Sequence, residues 1–207
     1  EQNLQSYIDK LDHFNPKMIH GYPSSLFLLA MGYEKYGKGS LSLKSIYSSS
    51  ETLLESQRRK IEGVFGVKVF NWYGTSEMNV NIVECEYGEL HLKCEHSFVE
   101  ILNTNNKPCK PGETGRIIST NVGNHYFPLI RYEVGDSITL SKVQKSKCGR
   151  SGILVEQILG RNEDYILTPN GRLVGRLDHI FKDTLNIKES QIQQDIQSEV
   201  ILRIVPD

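Results

Sequence analysis

The sequence predicts an α/β (α+β) chain: a partial parallel sheet with helices, then a small antiparallel β subdomain, then a further subdomain beyond a boundary near 160–164. Two observations carry this. Over the first 80 residues, apolar positions alternate between helical spacing and short strand-like runs with tight joints, the pattern of a parallel sheet layered with helices. After Glu77 the helical period fades, and strand-length segments are separated by Gly, Pro and Asn turns.

Leu4, Tyr7, Ile8 and Leu11 mark a first helix that Asn15-Pro16 ends. A short strand at Met18-Ile19 leads into Gly21-Tyr22-Pro23. A second helix runs from about Ser24 to Tyr36 and stops at Gly37. A strand around 45–47 enters Ser48-Ser49-Ser50-Glu51. A third helix carrying Leu53, Leu54, Gln57, Ile61, Val64 and Phe65 closes at Gly66, and a strand over 67–70 follows. Further strands are predicted at 89–93, 98–102, 115–120 and 137–140. Asn170-Gly171 reads as a two-residue hairpin loop, a short helix falls near 177–182, and two strand-like segments end at Val205. The turns and spacing divide the chain into an α/β part over about 1–80, a β part over about 81–160 and a further part beyond a boundary near 160–164.

Lys and Arg number 24 against 25 Asp and Glu, a balance that gives no basic surface for nucleic acid. The longest apolar run, Leu26 to Met31, is too short to span a bilayer. The four cysteines have no CxxC spacing and are too sparse for a disulfide scaffold, so they read as reduced thiols of a cytoplasmic protein.

Three segments carry candidate chemistry. Tyr73-Gly74-Thr75-Ser76-Glu77 follows a strand; glycine lets the backbone approach a phosphate, a hydroxyl donates to its oxygen, and a carboxylate suits Mg²⁺. In Arg131-Tyr132-Glu133-Val134-Gly135-Asp136, an Asp after a Gly turn can accept two hydroxyl hydrogen bonds from a ribose. Arg161, in Gly160-Arg161-Asn162-Glu163-Asp164, can reach a ribose or phosphate oxygen in fork geometry. Each alone is also compatible with an ordinary turn, a solvated hairpin corner or a surface charge cluster.

Together, in this order and spacing, these segments resemble the adenylate-forming superfamily of acyl-CoA synthetases. Within it they resemble the phenylacetate–CoA ligase-like branch that includes capsular polysaccharide biosynthesis proteins. His20-Gly21-Tyr22-Pro23-Ser24-Ser25-Leu26, Ser49-Ser50-Glu51-Thr52-Leu53 and Pro128-Leu129-Ile130-Arg131-Tyr132 extend the match, and the tail 174–189 is more like the capsular subgroup. The resemblance implies ATP-dependent activation of a small carboxylate as its acyl-AMP, with Mg²⁺, for transfer to CoA or another acceptor.

By position, the resemblance puts Ser76 against the α-phosphate and makes Glu77 the Mg²⁺ carboxylate. Tyr73 and Gly74 lie against the adenine and the acyl pocket, and the backbone at Glu51 lies along the adenine edge. Asp136 holds the ribose, with Arg161 beside it, and Glu163 is the hinge. Tyr22 is a candidate wall of the carboxylate pocket or a core tyrosine at a helix start. The family's Ser/Thr/Gly-rich phosphate loop and its C-terminal lysine are absent, so the resemblance implies a fragment of a longer enzyme, with 1–160 as the second half of the large adenylate-binding domain and 161–207 as the hinge and beginning of the small C-terminal domain. The alternative is a nucleotide-binding or structural fragment without turnover.

Some relatives in this branch carry a cysteine followed by a Gly-x-His segment, and later a Cys-x-Cys-Gly-Arg segment, together able to bind zinc. Cys85, His91 and Cys148 match three of those positions, while Ser146 stands where the other cysteine would be. A structural Zn²⁺ takes four ligands, which Cys94, His96 or a water can complete; the alternative is an eroded site with free thiols.

Overall fold

The structure is a computed structural model describing residues 3–39, 41–95, 97–161, 166–171, 173–174 and 187–206. The elements run α1 (Leu4–Phe14), β1 (Met18–Gly21), α2 (Pro23–Tyr36), β2 (Ser45–Ser49), α3 (Glu55–Phe65), β3 (Val69–Gly74), β4 (Asn81–Glu84), β5 (Leu90–Lys93), β6 (Ser97–Leu102), β7 (Thr114–Asn121), β8 (Tyr132–Leu140), β9 (Ile153–Arg161), β10 (Ile166–Leu167), β11 (Leu173–Val174), β12 (Ile187–Gln193) and β13 (Ile201–Pro206). The chain divides into two compact units, Glu1–Gly160 and Arg161–Asp207.

In the first unit the parallel and antiparallel regions form one nine-stranded sheet, ordered β1-β2-β3-β4-β5-β9-β8-β7-β6. β1, β2 and β3 are parallel neighbours, and β3 then pairs antiparallel with β4. Ile19, Ile46 and Val69 face α2 and α3, where Leu26, Ala30 and Ile61 complete a core. The opposite face of these strands carries two ring stacks, His20 on Trp72 and Tyr47 on Phe70. A second core lies in the antiparallel part, built from Val80, Ile82, Leu92, Val99, Ile101, Ile117, Ile138 and Val155.

The helix ends follow local chemistry. Asn15 stops α1 in the left-handed conformation, its N–H donating to the Leu11 carbonyl. The Gln57 side chain accepts from Leu54 N–H at 3.1 Å and steadies the start of α3. Arg58 of α3 donates to Glu84 Oε2 at 2.7 Å, and that oxygen also accepts Asn71 N–H at 2.8 Å. This half-buried ion pair fastens α3 to the β3–β4 pair. Tyr33 of α2 donates to Asp12 of α1 at 2.8 Å; burial and that carboxylate push its phenol up to about 12.

Three expectations change. The third strand runs to Gly74 because its end pairs with β4, so Tyr73 and Gly74 are strand residues. Gly135-Asp136 is no hairpin corner: it lies inside β8, where Val134–Asp136 stand opposite the single residue Ile117 in a bulge. Gly135 supplies the φ of +87° that this bulge needs.

In the second unit, Leu167 pairs with Leu173, leaving a five-residue connection over 168–172 rather than two. Gln194 brackets Leu167 there, accepting its N–H and donating to its carbonyl. β12 and β13 form a separate antiparallel pair. The helix expected near 177–182 lies outside the described residues. No helix is long and apolar enough to cross a membrane among the described residues.

Because Ile117 is fully buried between the bulge and the antiparallel core, Ile117→Ala is expected to cost about 2–5 kcal/mol. Exposed Val122→Ala should stay within about 0.5 kcal/mol. Urea midpoints at unchanged slope check both.

Candidate functional site: a strand-end cleft and a thiol–imidazole cluster

Ligands in open α/β sheets bind outside the carboxyl ends of parallel strands. Here those ends bring together Gly21-Tyr22 after β1, Ser49–Glu51 after β2 and Trp72–Gly74 of β3. His20 Nε2 lies 2.8 Å from Ser49 Oγ, and Glu51 Oε2 accepts Ser24 N–H at 3.2 Å in the first turn of α2. The Glu51 carboxylate is therefore engaged with a helix start, where the helix dipole favours negative charge. Tyr22 is 53% exposed at the N-cap of α2, so it is not a core tyrosine.

Beyond Gly74 the chain closes into a tight turn. Thr75 Oγ1 donates to Asn79 Oδ1 at 2.6 Å, and the Thr75 carbonyl accepts Met78 N–H at 2.9 Å. Ser76 is exposed on this turn and Glu77 is half-buried. The turn is laid across β7 and β8: Ser119 Oγ donates to the Asn79 carbonyl at 2.6 Å, and Asn121 Nδ2 to the Glu77 carbonyl at 3.4 Å. Tyr132 OH lies 3.5 Å from Glu77 Oε1.

The decisive contact is Tyr73 OH donating to Asp136 Oδ2 at 2.5 Å across 63 residues of sequence. Asp136 is only 9% exposed, because the bulge turns it inward. Glu77 and Asp136 thus border one strand-end surface, joined through Tyr132 and Tyr73. The backbone of Arg161 ends β9; its side chain, and all of Glu163, lie outside the described residues.

A second constellation sits at the β4–β5 turn. Ligand atoms of Cys85, Glu89, His91 and Cys148 all lie within 4.8 Å of one another. The turn forms because Cys85 N–H donates to the Glu89 carbonyl and Gly88 N–H to the Cys85 carbonyl, both at 2.9 Å. His91 stands opposite Leu154 of β9, which draws the preceding residues 146–150 over the turn. Ser146 Oγ donates to Glu89 Oε2 at 2.6 Å, so it receives Cys148 N–H at 3.1 Å and faces Cys148 Sγ at 2.9 Å. Cys148 Sγ lies 3.4 Å from His91 Nε2.

The Ser146 hydroxyl and the Lys147 N–H hold the Glu89 carboxyl below the usual range, and burial keeps the His91 imidazole below its ordinary value, favouring the neutral, ligating form. His91 is 3% exposed, and its buried Nδ1 has no hydrogen-bond partner among the described residues.

These groups fit zinc. Two thiols, an imidazole and a carboxylate are its ordinary donors, and tetrahedral bonds of roughly 2.0–2.3 Å need ligand atoms about 3.3–3.8 Å apart. The fourth group is Glu89, which a search for cysteine and histidine passes over. Cys94 is exposed and outside the cluster, and His96 lies outside the described residues.

Comparison with known proteins bears on the fold and on the sequence as a whole. No family model matches the chain. It is 28% identical to Protein CapK of Staphylococcus aureus over 99% of its length, covering 45% of that protein. It is 29% identical to the phenylacetate-coenzyme A ligase of Thermus thermophilus over 76% of its length, covering 37% of that enzyme. A 2-hydroxyisobutyryl-CoA ligase in its postadenylation state, bound to 2-HIB-AMP, superposes with a TM-score of 0.73 over 98% of the chain and 46% of the ligase, at 21% identity. The chain shares the fold of that ligase and is similar in sequence to CapK and to a phenylacetate-coenzyme A ligase.

Mycobacterium smegmatis MbtA shares the fold at a TM-score of 0.59 and 12% identity, over 100% of the chain and 42% of MbtA. The chain spans less than half the length of the curated relatives it matches.

Tyr73→Phe removes a hydrogen bond to a buried carboxylate, and a loss of about 1.5–3 kcal/mol in unfolding free energy is expected. In a double-mutant cycle with Asp136→Asn, the two effects should be strongly non-additive.

Proposed function

We propose that the protein containing this chain activates a small-molecule carboxylate with ATP. The carboxylate oxygen attacks the α-phosphorus, an O–P bond forms, the P–O bond to pyrophosphate breaks, and acyl-AMP passes its acyl group to CoA or another acceptor. The Tyr73–Asp136 hydrogen bond carries the reading, because it holds the Tyr73–Glu77 turn beside the carboxylate suited to a ribose. Ser76, exposed on that turn, is assigned to the α-phosphate, and Glu77 to Mg²⁺, a hard ion that suits a partly solvated carboxylate. Tyr73 and Gly74 are assigned to the nucleotide and acyl group, the backbone at Glu51 to the adenine edge, and Tyr22 to the carboxylate pocket. Arg161 is assigned to the ribose and Glu163 to the hinge at the head of residues 161–207, with 1–160 as part of the large domain.

Relatives that bear CoA-ligase names support CoA as acceptor, and the CapK relative supports a role in capsular polysaccharide synthesis. ATP, CoA and reduced thiols together suit a cytoplasmic setting. Cys85, Glu89, His91 and Cys148 are assigned to a structural Zn²⁺ that clamps the β4–β5 turn to the residues leading into β9.

Pyrophosphate release by the full-length protein across a panel of carboxylic acids tests the reaction. Glu77→Gln keeps the volume but loses the charge, and is expected to lower turnover by about two orders of magnitude or more. Asp136→Asn should instead raise the KM for ATP, since it weakens a contact remote from the reacting phosphorus. Nucleotide binding without pyrophosphate release for any acid would favour a binding role.

Elemental analysis should find one zinc per chain, lost in His91→Ala. Wild-type protein without zinc after purification in metal-replete buffer would remove the metal assignment.

A further inference from the structure

The Cys85–Cys148 pair carries chemistry that neither adenylation nor metal binding uses. The two sulfurs come from segments 63 residues apart, yet lie within 4.8 Å of each other. Cys85 is buried and Cys148 half-buried at the surface of the cluster. Ser146, 2.9 Å from Cys148 Sγ, brings a hydroxyl to the cluster, which holds two thiols. Two thiols are what a single two-electron oxidation consumes, with none left over. The other cysteines stand apart: Cys94 is exposed, and Cys109 packs near Gly115 between strands β6 and β7.

We infer that Cys85 and Cys148 form a reversible disulfide under hydroperoxide, making the cluster a redox-responsive clamp between the β4–β5 turn and the β8–β9 connection. Cys148, the more accessible sulfur, attacks the peroxide as its thiolate. The O–O bond breaks, the alkoxide or hydroxide that leaves takes up the proton released when the Cys148 thiol ionised, and Cys148 becomes a sulfenic acid. The Cys85 sulfur then attacks that sulfur; the S–S bond forms, the S–O bond breaks, and hydroxide leaves with the Cys85 proton as water. The two thiols lose two electrons and the peroxide gains them.

Closing from the present separation to a disulfide of roughly 2.05 Å needs a small shift of the Cys148 segment. That segment lies in the connection over 141–152, where turns at Gly149 and Gly152 leave it free of strand pairing. The disulfide would tie together the elements that a bound metal ties, so a metal and the disulfide are alternative occupants of one clamp. The pairing depends on sulfur geometry alone and stands whether or not adenylation is the protein's activity.

The experiment treats purified, reduced, chelator-stripped full-length protein with hydrogen peroxide, followed by alkylation in denaturant and peptide mass analysis. The expected product is about 2 Da lighter and contains a Cys85–Cys148 cross-linked peptide, with Cys94 and Cys109 alkylated, and dithiothreitol restores both thiols. Cys148→Ser should abolish the cross-link and slow oxidation of Cys85 by about tenfold. A Cys148 carried to sulfinic acid without cross-link, or a cross-link through Cys94, overturns the inference; the wild-type measurement alone decides this.

A parallel sample loaded with one equivalent of Zn²⁺ should cross-link about tenfold more slowly, because metal-bound thiolates are poorer nucleophiles toward peroxide. An equal rate with zinc would remove the metal assignment while leaving the disulfide in place.

Discussion

Strand β3 is the element on which the rest of the first unit depends. It accepts parallel pairing from β2 on one side and antiparallel pairing from β4 on the other. Parallel neighbours need a crossover and so bring helices; antiparallel neighbours need only a turn. The change of pairing at β3 is therefore where a helix-covered sheet becomes an antiparallel one. It also forces the chain to reverse immediately after Gly74, and the reversal is the turn that presents Ser76 and Glu77. The Arg58–Glu84 ion pair reinforces this point: it joins the helix before β3 to the strand after it, and Glu84 takes a β3 backbone N–H as well. Removing Arg58 would leave the mostly buried Glu84 carboxylate without its ion-pair partner, whereas Arg58 keeps Glu62 at 3.8 Å and Glu55 at 4.0 Å.

The bulge in β8 solves a complementary problem. A regular strand puts successive side chains on opposite faces, and a one-residue slip reverses every face. Two extra residues opposite Ile117 preserve alternation on either side while adding length at one point. Asp136 enters the interior there, and Tyr73 satisfies it. The cluster at the β4–β5 turn works differently, gathering its groups on a turn and a loop positioned by the β5–β9 pairing. One site is built on strand ends and a bulge, the other on connections.

Local signals in the sequence placed the ends of the first three helices: Asn15, Gly37 and Gly66 close them, although α3 begins at Glu55, after the Leu53-Leu54 pair expected to lie within it. Where the strands pair was not legible, because pairing is set by partners far away in sequence. β3 outran its expected end because Asn81 pairs with Gly74. Gly135-Asp136 has the local look of a corner, and only the register against Ile117 makes it a bulge. The Asn170-Gly171 dipeptide suggested a shorter loop than the one Gln194 helps hold. At the candidate sites, Tyr73, Glu77 and Asp136 were visible as residue types with suitable chemistry; their connection through Tyr73 OH was not. Glu89 escaped notice because acidic residues are common at turns, and only the approach of Cys148 and His91 distinguishes it.

Trp72 is the only tryptophan in the chain. It lies one residue before Tyr73, donates to Asn81 Oδ1 through its indole N–H, and stacks on His20 with ring centroids 5.5 Å apart. The chain's whole indole emission therefore originates beside the strand-end cleft. Excitation at the red edge of the absorption band isolates this one chromophore, with a histidine in van der Waals range as an intrinsic quencher. Changes at this strand-end surface can consequently be followed by light alone, with no label attached.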